Sequence, residues 1–348
     1  MAIGLRQSRY LLCWVVSLII GNSICQAQQA KPKLVFRLAL ELKPETTIWE
    51  ASNLLKTRLE QASPDGKIKA GEIKVMFYDR GSIGTERQLL ETCFLGVVEV
   101  VQINTSVVTT IDPTYSILDL PYLFLNEAHH ESVIYGPIGQ RFLDRLQQHG
   151  LQGLSFYGTG FRNMFYKSNK AVERPEDLNG LKIRVMESPV MIRSINAMGA
   201  SATPIPFSEL FQAMKTGVVD GAENSAKVFI ASKYEETGCN HFTLTEHFAN
   251  QHIIIANNAW LKSLEPKYRD RIVEVSQNAR KEFNTLWDSN VAEARQQIIA
   301  AGIGINSIPD KSLFVESVKD ISSDFFKSNP NLSRDLYDQI LRAAKDNQ

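Results

Sequence analysis

The sequence predicts an α/β chain of two lobes spanned by one long helix, and three features carry that expectation. Strand and helix patterns alternate through residues 34–103, and the alternation starts again after about residue 155. Such alternation is the mark of α/β lobes with mainly parallel sheet. One stretch of each half, Glu86–Glu99 and Phe207–Asp220, aligns with the other without gaps. Finally, Pro266 to about Ala301 holds no glycine and no further proline, while Ile272, Val275, Ala279, Phe283, Leu286 and Val291 trace an apolar stripe. At 1.5 Å per residue that helix approaches about 50 Å, which suits a helix lying across two lobes better than one inside either.

The first 27 residues read as a leader rather than as part of the fold. Arg6 and Arg9 form a basic start, Leu11–Ile20 is apolar, and Cys25-Gln26-Ala27 supplies small residues for cleavage after Ala27. This is the layout of a secretory signal peptide, with an apolar run of about ten residues where about twenty would be needed to span a bilayer. A lipid anchor on Cys25 is the alternative, but Asn22-Ser23-Ile24 is a poor lead-in for it. The chain has 38 basic and 38 acidic residues, and loss of Arg6 and Arg9 leaves a net charge near −2. That balance gives no electrostatic reason to expect nucleic acid or an anionic membrane as partner. Of four cysteines, Cys93 and Cys239 remain after cleavage and read as buried free thiols rather than a disulfide framework. Roughly 320 residues exceed a comfortable single core and favour two domains.

In chain order, Leu34–Leu40 alternates as a strand and Thr47–Leu59 follows as a helix, with Ile48, Ala51, Leu55 and Leu59 at helical spacing. Ile73–Tyr78 is the next strand after the turn Ser63-Pro64-Asp65-Gly66, then a helix from Glu86 to Leu95, stopped by Gly96. Val97–Ile103 returns as a buried strand. In the second half, Asn163–Ser168 and Lys182–Met186 are short strands and Met191–Met198 a helix. Another helix is N-capped by Ser208 and closed by Gly217, followed by strands at Val218–Ala222 and His252–Ala256. Leu313–Ala344 supplies further amphipathic helices. The internal alignment pairs Gly96 with Gly217 and Val97-Val98 with Val218-Val219. It reads either as generic helix–glycine–strand construction or as two lobes of like topology, the latter placing Glu86 and Phe207 at equivalent helix N-termini facing a cleft.

Enzyme signals fail on spacing. Gly158-Thr159-Gly160 and Gly302-Ile303-Gly304 lack the third glycine and the lysine of nucleotide loops, and Gly153–Gly158 has the wrong spacing for a nucleophile elbow. His241, His247 and His252 do not form a helical zinc pair, and His129 and His130 read as solvated. The polar residues that stand out suit binding instead. Arg184 sits in the strand GLKIRV with Lys182 and Met186 two positions away on its own face. A guanidinium there needs a carboxylate or its equivalent, from a distant side chain or from a bound anion; the reading adopted is a bound anion. Arg162 and Asn163 follow the bend at Gly158–Gly160, and Glu223 and Asn224 end an apolar strand, where ligands bind in open α/β sheets.

Those same residues carry a family resemblance. GFRN (160–163), RPEDLNGLKIRV (174–185), SPV (188–190), MGASATPIPFSEL (198–210) and TGVVDGAEN (216–224) resemble the solute-binding proteins of TRAP transporters, of the dicarboxylate-binding (DctP) type. GSIGTERQLLE (81–91) and LDLPYLF (118–124) agree in order and spacing, and the resemblance runs from about residue 34 to 300. It implies a periplasmic binding protein fold: two α/β lobes, hinge strands and a long helix spanning both. The expected division is a signal peptide at 1–27, lobe I at 28–155, lobe II at 156–255, and the long helix with C-terminal helices at 256–348. By resemblance, Arg184 forms a two-pronged salt bridge with a ligand carboxylate, Arg162 and Asn224 add hydrogen bonds, Phe207 forms an apolar wall, and Glu86 approaches from the other lobe. Glu223 and Asn163 complete the expected ligand-binding set. The implied role is capture of a small organic acid in the periplasm for delivery to small and large membrane permease subunits, with no cofactor, metal or catalysis. The alternatives are a protein that presents its ligand to a sensor, and a two-lobe enzyme using Glu86 with Glu223 as an acid–base pair. The chain departs from the family pattern at Gly158-Thr159 and at Ser225-Ala226-Lys227, so the family's usual ligand does not transfer directly.

Overall fold

A computed structural model describes residues 31–344, so the expected signal peptide lies outside the described residues. β1 (Leu34–Leu40), α1 (Thr47–Glu60), β2 (Ile73–Tyr78), α2 (Glu86–Phe94), β3 (Val100–Asn104) and α3 (Thr105–Val108) open the chain, followed by α4 (Glu127–Ile134) and α5 (Pro137–Arg145). Next come β4 (Leu151–Tyr166), β5 (Lys182–Val185), α6 (Pro189–Ala197), β6 (Ser201–Pro204), α7 (Phe207–Lys215), β7 (Gly221–Asn224) and α8 (Ala226–Ala231). β8 (His241–Asn257), α9 (Asn258–Ser263), α10 (Pro266–Ala300), β9 (Gly304–Ser307), α11 (Ser312–Ser317), α12 (Ile321–Ser328) and α13 (Asp335–Ala343) complete it.

The strands join one sheet in the order β2-β1-β3-β8-β4-β7-β5-β6, with β9 on β8. β1 runs parallel to β2 and β3, and β5 runs parallel to β6 and β7, which gives each lobe its own parallel core. β4 and β8 join the two. They pair antiparallel from Leu151↔Asn257 to Tyr166↔His241, with register shifts between Gly158 and Phe161 and between Arg162 and Met164. Asn163–Ser168 is therefore not a separate short strand but the end of a 16-residue one. Likewise His252–Ala256 is the far part of the 17-residue β8 and pairs with β3 of the first lobe.

Side-chain alternation explains the layers. Leu34, Phe36, Leu38 and Leu40 of β1 pack on Ile48, Ala51, Leu55 and Leu59 of α1, while Ala39 faces a second cluster on the other side. α10, 35 residues and about 52 Å long, contributes Ile272, Val275, Ala279 and Phe283 to the first-lobe core, and Ala294 and Ile298 to the second-lobe core. The C-terminal helices divide in the same way: Phe314 and Val318 join a second-lobe cluster, and Phe325, Leu336 and Ile340 a first-lobe cluster. Cys93 and Cys239 are both free and buried.

Two expected strands begin later than their sequence suggests, for one shared reason. Gly96 (φ 73°) and Gly217 (φ 76°) each form a left-handed cap. The N–H of Val97 reaches back to the Thr92 carbonyl and that of Val218 to the Ala213 carbonyl, the six-residue ring of a Schellman motif. The valines are used up in the cap and left half exposed, and the strands start at Val100 and Gly221. That the same departure occurs at aligned positions favours two lobes of like topology. His129 and His130, expected in solvent, are buried: α13 packs over α4, so His129 Nε2 bonds the Ile340 carbonyl, and His130 Nε2 meets Gln251 Oε1 on β8.

Gly221 is where β7 comes closest to β4, and a Cβ there would lie 2.2 Å from the Phe165 carbonyl oxygen. Gly221→Ala is expected to destabilise the fold by about 1–3 kcal/mol, lowering Tm by about 2–4 °C per kcal/mol. An unchanged Tm in a calorimetric scan would show that β7 has slack.

Candidate functional site

The carboxyl end of β1 leads directly into Glu41, 3% exposed, whose carboxylate touches both lobes. Its Oε2 accepts from the Glu86 N–H (2.9 Å) at the start of α2, and its Oε1 accepts from the Ser208 N–H (2.6 Å) at the start of α7. α7 has Pro206 at its N-cap and no side-chain cap bond of its own. Ser208 is thus not the N-cap that the sequence suggests. Glu41 supplies the missing acceptor from across the cleft, as a cap in trans. The two aligned helices therefore do present their N-termini to one point between the lobes. Arg87 and Glu187 approach to 3.5 Å across the same divide, and Ser188 donates to Asp119 at 2.7 Å.

Arg184 lies beside this junction, on β5, at 2% exposure. Its Nε donates to the Ile205 carbonyl at 2.7 Å, and no carboxylate is within ion-pair distance among the described residues. Burial lowers its pKa, partly offset by Tyr234 and Glu223. Arg184, Glu86, Glu41, Phe207 and Met186 line a gap of about 30 Å³ between the lobes, room for about one water. A ligand of several heavy atoms requires the lobes to move apart first.

Arg162, equally buried on β4, is placed differently. Its Nε and Nη2 grip the Glu223 carboxylate (Nη2–Oε1 2.9 Å), Nη2 also donates to the Glu223 carbonyl, and Nη1 donates to Asn250 Oδ1 at 2.9 Å. Glu223, 0% exposed, is thus spent on Arg162 rather than aimed into the cleft. Asn224 ends β7 opposite Asn163, with its Oδ1 accepting from the Ser225 N–H. Asn163 does not join the gap at Arg184. It lines a separate cavity of about 480 Å³ with Tyr122, Phe161, Glu246 and Trp287, and its Oδ1 accepts from the Glu246 N–H. The register shift between Arg162 and Met164 interrupts simple alternation here, and Arg162 and Asn163 are turned to different partners, Glu223 and the Glu246 N–H. Lys227 is half-buried on α8 and does not line the Arg184 gap.

Glu86 Oε1 accepts from the Asn104 N–H at 3.0 Å and lies 3.9 Å from His252 Nδ1. Burial, reinforced by the charge of Glu41, pushes its pKa up to about 8. Burial also pushes His252 down to about 3, with Arg162 adding to the effect. The pair is therefore a neutral carboxyl beside a neutral imidazole, able to exchange hydrogen bonds with a hydroxyl. Among the described residues no group of His, Cys, Asp and Glu is arranged to hold a metal. Glu41, Tyr234 and Asn250 were not singled out in the sequence, and His252 was weighed only as a metal ligand. Glu41 had a signal, because it stands at the carboxyl end of a parallel strand; the others had none.

Glu86 gains a proton on folding, so its contribution is lost as pH rises from the unfolded value near 4.5 towards 8. Glu86→Gln removes that loss while keeping an oxygen for Asn104. The Tm of the variant relative to wild type is expected to rise steadily between pH 5 and pH 8, by up to several kcal/mol of stability at about 1.4 kcal/mol per pKa unit. A pH-independent difference in thermal melts would refute the neutral carboxyl.

Residues 38–329 match the bacterial extracellular solute-binding protein family 7, DctP. A solute-binding protein of Chromohalobacter salexigens is 33% identical over 75% of this chain and 77% of its own length. The 2,3-diketo-L-gulonate-binding periplasmic protein YiaO of Escherichia coli is 26% identical over 76% of this chain and 80% of its own. Among solved structures, a TRAP periplasmic solute-binding protein of C. salexigens with bound D-glucuronate superposes with a TM-score of 0.83 at 30% identity, covering 88% of this chain and 99% of the other. The sugar-acid-binding protein of Advenella mimigardefordensis in complex with galactonate gives 0.84 at 26% identity, covering 91% and 99%. With its family matched over most of its length, and with a two-lobe sheet and a buried interlobe arginine, the chain belongs to the DctP family of TRAP solute-binding proteins.

Proposed function

We propose that the protein is a periplasmic receptor that captures a sugar acid by its carboxylate between the lobes and hands it, chemically unchanged, to the small and large permease subunits of a TRAP transporter. One observation carries this reading: Arg184 is a buried cation with no acidic partner among the described residues, set where the two lobes meet. The guanidinium fork meets a carboxylate with two parallel N–H···O bonds, fixing orientation as well as charge. In this reading Glu86 and His252 receive a ligand hydroxyl, Phe207 covers an apolar ring face, and Asn224 adds an amide donor. Arg162 acts through Glu223 and Asn250, holding β4 against β7 rather than lying under the ligand. The sugar-acid choice follows the relatives of known structure, which hold D-glucuronate and galactonate.

The enzyme reading loses its acid–base pair, because Glu223 is gripped by Arg162. A sensor-feeding role would use the same cleft and differs only in the partner that reads the closed form. In the proposed reading β1–β3 and β5–β7 belong to the two lobes, and β4, β8 and α10 tie them together, so the expected boundaries near 155 and 255 fall within the joining strands.

Charge-assisted bonds contribute on the order of 1.5–3 kcal/mol each, and micromolar affinity corresponds to about −8 kcal/mol. Arg184→Ala is therefore expected to abolish D-glucuronate binding in titration calorimetry, and Arg184→Lys to weaken it at least about tenfold. Wild-type affinity in Arg184→Ala would defeat the assignment. So would recovery of a converted sugar acid after prolonged incubation.

A further inference from the structure

We propose that the mouth of the cleft holds a second anion subsite, in which Lys43 and Arg80 take the second carboxylate of an acidic sugar whose first carboxylate lies on Arg184. This rests on the capture role proposed above and adds the ligand class: acidic sugars with two carboxylates rather than one.

Outward from Arg184 the gap is bounded by Glu41 and Phe207, and those two residues also line a second cavity of about 180 Å³. That is on the order of six waters, against about one beside Arg184. The first lobe gives this outer cavity Lys43 and Arg80, and the second gives it Phe207, Phe211, Ser232 and Tyr234. Phe207 and Phe211 are one helical turn apart on α7 and form a single apolar wall. The Ser232 hydroxyl is buried next to Tyr234 without a hydrogen-bond partner of good geometry. An apolar wall, facing hydroxyls and a basic rim together match a sugar ring that bears a carboxylate.

The charges favour an anion here. Neither Lys43 nor Arg80 has a carboxylate within ion-pair distance among the described residues, while nearby Lys233 is paired with Glu236 at 3.8 Å. Burial lowers the pKa of Lys43; Glu45 and Glu235 oppose this, and Lys233 and Arg80 add to it. The adjoining acid, Glu41, is already occupied by two backbone N–H groups. The backbone is held in the left-handed region at Glu45 (φ 76°), Arg80 (φ 56°) and Lys233 (φ 56°), three of the five non-glycine residues so placed among those described. Such conformations are unfavourable and persist where the surroundings fix a functional geometry. Tyr234 bridges the two regions, since it lines this cavity and lies near Arg184.

The test is titration calorimetry of the full mature chain with three ligands: D-glucuronate, with one carboxylate; D-glucarate, with carboxylates at both ends of one carbon chain; and digalacturonate, with carboxylates on two linked rings. Wild type is expected to bind one of the diacids at least about tenfold more tightly than glucuronate. Which diacid wins tells whether the second carboxylate is carried on the same sugar or on the next. The double variant Lys43→Gln/Arg80→Gln is expected to lose that preference while its glucuronate affinity stays within about threefold of wild type and its Tm is unchanged. Wild type binding glucuronate and both diacids equally overturns the subsite and leaves the Arg184 reading standing. A double variant that loses glucuronate and diacid in equal measure also overturns the subsite. Wild type that binds none of the three overturns both.

Discussion

Two guanidiniums are buried within reach of each other's charge, on β4 and β5 of this sheet, and neither can shed its charge. Arg162 and Arg184 repel one another, and each lies at 2% exposure. Arg162 has an ion-pair partner: the Glu223 carboxylate, the Glu223 carbonyl and the Asn250 amide oxygen accept four hydrogen bonds from its five N–H groups. Breaking such a pair by removing one partner leaves an uncompensated buried charge, a loss of about 3–5 kcal/mol. That makes the pair a fixed part of the fold. Arg184 is given a carbonyl and the more distant Tyr234, Glu223 and Glu41. The fold thus leaves one buried cation without an ion-pair partner among the described residues, and it lies where the two lobes meet.

The acidic side is arranged to match. Glu41 and Glu86 lie close enough to raise the proton affinity of Glu86, and two neighbouring carboxyls do not both ionise readily. Glu41 receives two helix N-termini, each with the partial positive charge of its aligned peptides. The division of labour follows: Glu41 joins the lobes through two backbone N–H groups, and Glu86 is held protonated beside Arg184. In the proposed reading an ionised carboxylate at Glu86 would compete with the ligand for the arginine; a protonated one leaves the arginine free and can still hydrogen-bond.

What was legible in the sequence depends on the range of the interaction. Strand alternation in β1, the helical stripe of α10 and the two glycine caps are set by near neighbours, and they were readable. The match between Glu86–Glu99 and Phe207–Asp220 was readable as well, and the shared Schellman caps at Gly96 and Gly217 turn it from a pattern into a structural correspondence. The true start of β3 and β7 was not readable, because a valine that closes a helix cap resembles one that opens a strand. β4 and β8 looked short because Gly158, Gly160 and the polar run near His247 resemble breaks, whereas they are bulges within continuous strands. In the site, Arg184 stood out as a charge in an apolar strand. That Arg162 belongs to Glu223, 61 positions away, follows only from the pairing of β4 with β7. Asn163 was grouped with Arg162 by adjacency, whereas the irregular register of β4 with β8 gives the two residues different partners.

The narrowness of the closed gap constrains how such a receptor can work. At about 30 Å³ beside Arg184, the lobes meet without room for a sugar acid. Two of the three register shifts of β4 and β8 fall between Gly158 and Met164, beside Arg162, so flexing there moves the lobes without breaking the ladder on either side. A ligand favours closure only through contacts that are better in the closed form. Glu41 already favours closure without a ligand, and if its tie were strong the empty protein would stand closed as though loaded. Two backbone N–H bonds to a carboxylate contribute on the order of 1.5–3 kcal/mol each before the lost hydration of the open lobes is counted, within the few kcal/mol over which two conformations both remain populated. The tie is therefore suited to biasing the equilibrium towards a closed form that, in the proposed reading, an Arg184–carboxylate contact makes dominant. The same carboxylate separates the inner gap from the outer cavity, so the residue that joins the lobes also sets how far along the cleft a ligand must extend.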